Sequence, residues 1–292
     1  MNITITGDIG SGKSVAAKEL AKRLNMRVVE AGELYREYAK TKGLDVLQQN
    51  QSDDYSIDRE IDTRIAQLGK DEDNIIFVSR TAWHFVPNAI KIYLAVTPIL
   101  AAKRVTCDTT RNSESHTDYE ATYEYNLNRK TAELKRYKSL YNMVDPSGKS
   151  NSDIIVVIGK NTISDVCNSI QWAISTNNYG VMVDPKAIIP TQSIRDFNMG
   201  TFEQYCKELP NSSVTVPLDI KVNCQGSLYC VEDGHHRVAA AVHNNIKFLL
   251  IKTRDKSVDL QKSMVYDWED ILKVDLSDEL ETYERERVRY IK

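Results

Sequence analysis

Residues 7–14 read GDIGSGKS, a glycine-rich stretch that ends in Lys13 and Ser14 and directly follows the apolar run Ile3-Thr4-Ile5. A strand feeding such a loop, which then opens a helix, is the local geometry that cradles nucleotide phosphates. Gly7, Gly10 and Gly12 permit backbone angles that a side chain forbids, so successive N–H groups, that of Ser11 among them, can turn toward an anion. Lys13 is placed to reach the β- and γ-phosphates of a nucleoside triphosphate, and the Ser14 hydroxyl to ligate Mg²⁺. Val15, Leu20 and Leu24 keep helical spacing among good helix formers, which gives the loop the helix it needs.

A second group with chemical potential is Asp233-Gly234-His235-His236-Arg237, between the strand-like run ending at Val231 and the alanine-rich segment that follows. Glycine between a strand and a helix allows a tight turn, and the N–H groups of the helix start can face an anion. With Arg237 and two histidines added, the turn is a candidate phosphate or nucleotide pocket. Adjacent histidines point in different directions, so a metal site built on both is not expected. The plain alternative is a polar strand-to-helix turn with His236 packed in the core.

The elements that must position these groups divide the chain. Over about the first 175 residues strand and helix signals alternate, which implies parallel strands joined by crossover helices. Strands are expected at 2–6, 26–30, 74–79, 90–96 and 153–158, with helices near 13–24, 32–41, 57–70, 98–106, 118–140 and 162–175. The polar stretch 107–117 reads as a loop that could serve as a lid or as a plain connector. A turn cluster at 175–180 suggests a boundary, giving domains at 1–176 and 177–276 and a charged, helical tail at 277–292. Beyond the boundary, strands are expected near 181–183, 216–222, 227–231 and 247–252, and helices near 200–209 and after Gly234.

Bulk composition excludes several classes. With 41% hydrophobic and 27% charged residues in 292, the chain reads as an ordinary globular protein. A net charge of −3 gives no general attraction to nucleic acid or to an anionic membrane. No apolar run approaches the ~20 residues of a membrane span, and the chain opens on a core strand with no leader-like segment before it. The five cysteines form no C-x-x-C pair, as expected of reduced thiols in a cytoplasmic protein. Oligomeric state is not legible.

From residue 1 to about residue 168 the chain resembles the cytidylate kinases, particularly the compact archaeal type. The likeness runs through GDIGSGKS, AGELYRE (31–37), SIDREIDTRI (56–65), FVSRTAWHF (77–85), KIYLAVTPILAAKRV (91–105), NRKTAELKRYKSLYN (128–142) and SDIIVVIGKNTISDV (152–166). It implies an α/β fold, a P-loop kinase domain with a parallel five-stranded sheet and a helical lid, using ATP and Mg²⁺. It assigns Gly10, Gly12, Lys13 and Ser14 to the triphosphate and its metal, and Arg104 to the adenine or its phosphates. Arg36 and Arg80 fall to the acceptor nucleotide, Asp58 and Asp62 to the helix covering its pocket, and Arg129 and Arg136 to the lid. The third strand carries Ser79 before Arg80 where the family commonly has an acidic residue or glycine, which leaves the second Mg²⁺-side carboxylate unassigned.

Residues ~180–255 resemble the ParB/sulfiredoxin-like superfamily, chiefly through the DGHHR turn and the strand order before it. That resemblance implies a smaller α+β domain binding a nucleotide or phosphate through Asp233, His235, His236 and Arg237. His235 stands where sulfiredoxin chemistry needs a cysteine. The joint expectation is an ATP-dependent phosphotransferase acting on a CMP- or dCMP-like acceptor. The alternatives are a kinase that phosphorylates a modified base or sugar end in DNA, and a non-catalytic nucleotide sensor.

Overall fold

The structure is a computed structural model that describes residues 1–41, 55–107, 119–191, 198–211, 213–225 and 228–255. It forms two compact units, Met1–Val156 and Val157–Lys292. The expected lid loop beyond Cys107 and the charged tail at 277–292 lie outside the described residues.

In the first unit, strand and helix alternate as β1 (Ile3–Gly7), α1 (Lys13–Leu24), β2 (Arg27–Glu30), α2 (Ala31–Thr41), α3 (Ser56–Asp71) and β3 (Ile75–Val78). A short α4 (Ala82–Phe85), β4 (Ile90–Ala95), α5 (Pro98–Thr106), α6 (Tyr119–Tyr141) and β5 (Ile154–Val157) follow. The strands lie in the order β2-β3-β1-β4-β5. β1 runs parallel to both neighbours, with Ile3 in register with Ile76 on β3 and Ile90 on β4. Helices cover both faces of such a sheet, so residues on both faces are buried, Thr4 and Thr6 of β1 included. Ile3, Ile5, Ile75, Ile76, Phe77, Ile92 and Leu94 are fully buried.

Period decides the outer helices. Ile57, Ile61 and Ile65 recur every four residues, form one stripe of α3 and pack against Val29, Phe77 and, from α2, Leu34, Tyr35 and Tyr38. The same turn of α3 that buries Ile61 also buries Asp62. α5 starts on a Thr97 cap with Pro98 in its first turn, the ring angle already suited to a helix start.

The second unit contains α7 (Ile163–Thr176), β6 (Gly180–Val183), β7 (Ile188–Ile189), α8 (Met199–Glu208), β8 (Thr215–Gln225), β9 (Leu228–Asp233), α9 (His235–His243) and β10 (Phe248–Asp255). Its strands lie in the order β6-β10-β8-β9-β7. Pairing is mixed: β10 is antiparallel to β6 and parallel to β8, and β8 is antiparallel to β9. The β8–β10 ladder slips just after Pro217, where the strand lacks an N–H to donate. The division between units falls ahead of the polar turn at 175–180. α7 keeps to the second unit, where Thr215 Oγ1 donates to Ser169 Oγ at 2.7 Å.

Candidate functional site

The glycine loop follows β1 and opens α1. Gly7 sits at φ 143°, and a Cβ there would stand 2.2 Å from the Leu94 carbonyl oxygen. Gly10, at φ 74°, would drive a Cβ to 2.8 Å from the Ala101 carbonyl oxygen on α5. The loop therefore lies pressed between β4 and α5, and only hydrogen fits at either point. Lys13 reaches back across the loop, its Nζ donating to the carbonyls of Gly7 at 2.9 Å and Asp8 at 2.7 Å. Gly12 caps α1 in the left-handed region. Ser11 is 1% exposed, and its hydroxyl has no hydrogen-bond partner among the described residues. A buried hydroxyl left over in a loop of turned N–H groups suits a phosphate oxygen.

Asp8, inside the motif, fastens the loop to its surroundings. Its Oδ1 accepts from Tyr93 Oη at 2.9 Å and Lys130 Nζ at 2.6 Å, and its Oδ2 from the Val96 N–H at 3.1 Å. Beside it a cavity is lined by Thr6, Gly7 and Asp8 from the loop side, by Arg80 after β3, and by Lys130, Glu133 and Tyr137 of α6. Arg80 and Arg129 both ion-pair with Glu133, the latter at 2.9 Å. Arg136 pairs with Asp58 of α3, and its guanidinium lies 5.0 Å from the centre of the Tyr55 ring. These cations sit close together because carboxylates interleave them; unpaired, they would repel.

The structure thus brings Arg80, Arg129 and Lys13 to one region and places Arg136 against α3. Asp62 stands elsewhere in the chemistry. Its Oδ1 accepts from Thr81 Oγ1 at 2.7 Å and its Oδ2 from Tyr141 Oη at 2.5 Å. Both oxygens are engaged, and burial pushes its carboxyl above the usual range against those two bonds. Asp62 ties α3 to the β3 turn and the end of α6. Arg104 lies one helical turn beyond Ala101 on α5, half-buried, and burial lowers its guanidinium from the ordinary value. The Arg36 side chain is outside the described residues, although its backbone belongs to α2.

Sequence reasoning missed Glu30, Asp8, Lys130 and Glu133. Glu133 had a faint signal, an acid four residues after Arg129, a pattern shared by many solvated helix faces. Glu30 ends β2, and its Oε2 accepts from Ser14 Oγ at 2.8 Å. Hard oxygen donors of this kind suit Mg²⁺, so Ser14 and its surroundings fit the cation that accompanies a triphosphate.

In the second unit the DGHHR residues are occupied internally. His235 Nε2 accepts from the Thr191 N–H at 3.0 Å, and His236 Nε2 accepts from the Asn198 N–H at 2.9 Å. Arg237 donates to the Asp219 carbonyl and to Tyr205 Oη, the latter at 3.2 Å. Asp233 lies 3.9 Å from Lys221. Gly234 holds φ 102°, where a Cβ would meet Ile220 at 2.4 Å.

Burial first, and then His236, pull the His235 pKa down from 6.5 to about 4, against the opposing pull of Asp233. Its neutral ring therefore contributes stability that is complete above about pH 6.5 and is lost as pH falls through 4. Asp184, buried and pushed up to about 6, works in the opposite sense: its contribution is lost as pH rises through that value. Comparing wild type with His235→Gln cancels the Asp184 effect. The gap in thermal midpoint between them is expected to shrink by several degrees from pH 7 to pH 4, read by circular dichroism. A constant gap would remove His235 as the titrating group.

Residues 3–124 match a family model described as "AAA domain". With the loop geometry above, this defines the first unit as a P-loop nucleotide-binding domain. A cytidylate kinase of Sulfolobus acidocaldarius is 30% identical over 182 residues, covering 61% of this chain and 96% of that protein. One from Methanocaldococcus jannaschii is 31% identical over 60% of this chain and 97% of its own length. A third, from Methanocorpusculum labreanum, is 33% identical over 48% and 78% respectively. The chain belongs to the cytidylate kinase family. No helix among the described residues is long and apolar enough to cross a membrane.

Proposed function

We propose that residues 1–176 transfer the γ-phosphoryl group of ATP to a cytidine monophosphate-like acceptor, CMP or dCMP. The observation that carries this reading is the shared cavity, lined on one side by the phosphate loop at Gly7 and Asp8 and on the other by Arg80 and Lys130. Donor and acceptor phosphates entering it would face each other across cations. Phosphoryl transfer asks the protein mainly for positioning and positive charge, with little covalent work.

In this reading the loop N–H groups and Lys13 hold the donor phosphates. Arg80 and Arg129 exchange Glu133 for phosphate oxygens, and Arg136 exchanges Asp58. Each cation starts already oriented, so little is lost in ordering it. Ser14 would help hold the Mg²⁺ that accompanies the triphosphate, and the positive charge of the cation would offset the negative charge of the phosphates. Arg104 lies on the adenine side, and Arg36 and Asp58 on the acceptor side.

For residues 177–276 we propose a ParB-like, phosphate- or nucleotide-binding module. The strand–Gly234–helix turn and the presence of Arg237 beside it support this reading.

The test is ATP turnover with a panel of ribo- and deoxynucleoside monophosphates and of oligonucleotides. Diphosphate formed from CMP or dCMP supports the proposal. Label retained on an oligonucleotide would favour the nucleic-acid reading, and ATP binding without any turnover the sensor.

A further inference from the structure

In the sequence the tip of the third strand carries Ser79 where a metal-side acid is common. In the structure that serine is engaged with Thr81, accepting from its N–H at 3.2 Å and lying 3.1 Å from its Oγ1. The acid arrives instead from the neighbouring strand. Resting on the phosphotransfer reading above, we propose that Glu30 is the positioning carboxylate of the Mg²⁺ site, acting through Ser14.

The argument is one of proton placement. A serine hydroxyl ligates a cation through its oxygen lone pairs, so its proton must point elsewhere. An ionised carboxylate can only accept. At 2.8 Å from Glu30 Oε2, Ser14 Oγ is therefore the donor, and its lone pairs are left for a cation. The carboxylate is well shielded, with 12% of the side chain exposed, so its charge is felt strongly one atom away. Its second oxygen lies 3.0 Å from Lys18 Nζ, but that side chain is 57% exposed, so the pair is screened by solvent. The ammonium of Lys18 is raised above its ordinary value, first by its hydrogen bond to Glu30. Partners that orient a metal ligand commonly change metal affinity by about 10–100-fold when removed.

A purely structural role would make Glu30 a salt-bridge partner of Lys18, and Lys18 also has Glu33 within 3.7 Å. The two roles separate by experiment. ATP binding is measured by calorimetry on the full chain with EDTA and with excess MgCl₂, for wild type, Glu30→Gln, Glu30→Asp and Lys18→Ala. Glu30→Gln is expected to keep or improve metal-free ATP affinity while losing at least about 10-fold of the Mg²⁺-dependent tightening. Glu30→Asp recovers part of that loss, and Lys18→Ala keeps the wild-type Mg²⁺ dependence.

The proposal is overturned if Glu30→Gln retains the wild-type Mg²⁺ dependence, or if Lys18→Ala loses it equally. Wild type that binds ATP with no response to Mg²⁺ overturns it too. Should Glu30→Gln fail to fold, the contrast between Glu30→Asp and Lys18→Ala decides by the same readout. Because binding is the readout, a wild type that shows Mg²⁺-dependent ATP binding but phosphorylates no nucleotide sinks the kinase reading and leaves this proposal standing or falling on the variants.

Discussion

Lys13→Ala is expected to lower kcat by about 10³-fold while leaving the fold in place, measured by a coupled turnover assay beside a circular dichroism melt. The size follows from what the ammonium does. A donor aimed at charge that develops in the transition state is worth about 10²–10³ in rate when removed, and a full positive charge lies at the upper end. In the structure Nζ bridges the carbonyls of Gly7 and Asp8, so it is already held over the loop with nothing to reorganise. The melt should move little, because the loop is also fastened by Asp8 to Tyr93, Val96 and Lys130. Turnover close to wild type would mean that the phosphates bind elsewhere.

Arg80→Ala is expected to raise the acceptor KM by about 100-fold and the ATP KM by no more than a few-fold. A charge-assisted bond from arginine to phosphate is about twice as strong as a neutral one and is often bidentate, which sets the magnitude. The asymmetry rests on position. Arg80 follows β3 and lines the cavity with Gly7 and Asp8, and Ser14 is not among the residues that line it. Truncation does not strand its carboxylate, since Glu133 keeps Arg129 at 2.9 Å. The loss is then a binding loss rather than a folding one. Initial-rate kinetics over both substrates measure it, and equal rises in the two KM values would take Arg80 out of the acceptor site.

Local pattern carried much of the first unit. Strands β1 to β4 are short, mostly apolar runs, and the isoleucines at 57, 61 and 65 announce the buried stripe of α3. These features follow from period and burial, which a linear sequence records. The phosphate loop was equally legible, because its glycines answer a backbone demand made within eight residues. Asp62 shows the limit of spacing. It shares a helix face with Asp58 at four residues' distance, yet Asp58 meets Arg136 whereas Asp62 is buried between Thr81 and Tyr141. Which of two equivalent positions faces a cavity depends on what lies across from it, and that partner is 78 or 79 residues away in the chain.

By itself, then, the sequence determined that a strand, a glycine loop and a helix would form an anion cradle with Lys13 and Ser14 at its mouth. Tertiary structure alone decided which carboxylates attend it. Glu30 reaches Ser14 because β2 ends beside the start of α1, and Asp8 meets Lys130 because α6 passes beside the loop. The physical reason is range. Backbone angles and hydrophobic period act over a few residues, whereas a buried charge is stabilised by whatever opposite charge or donor the fold brings within ~3 Å of it, at any separation along the chain.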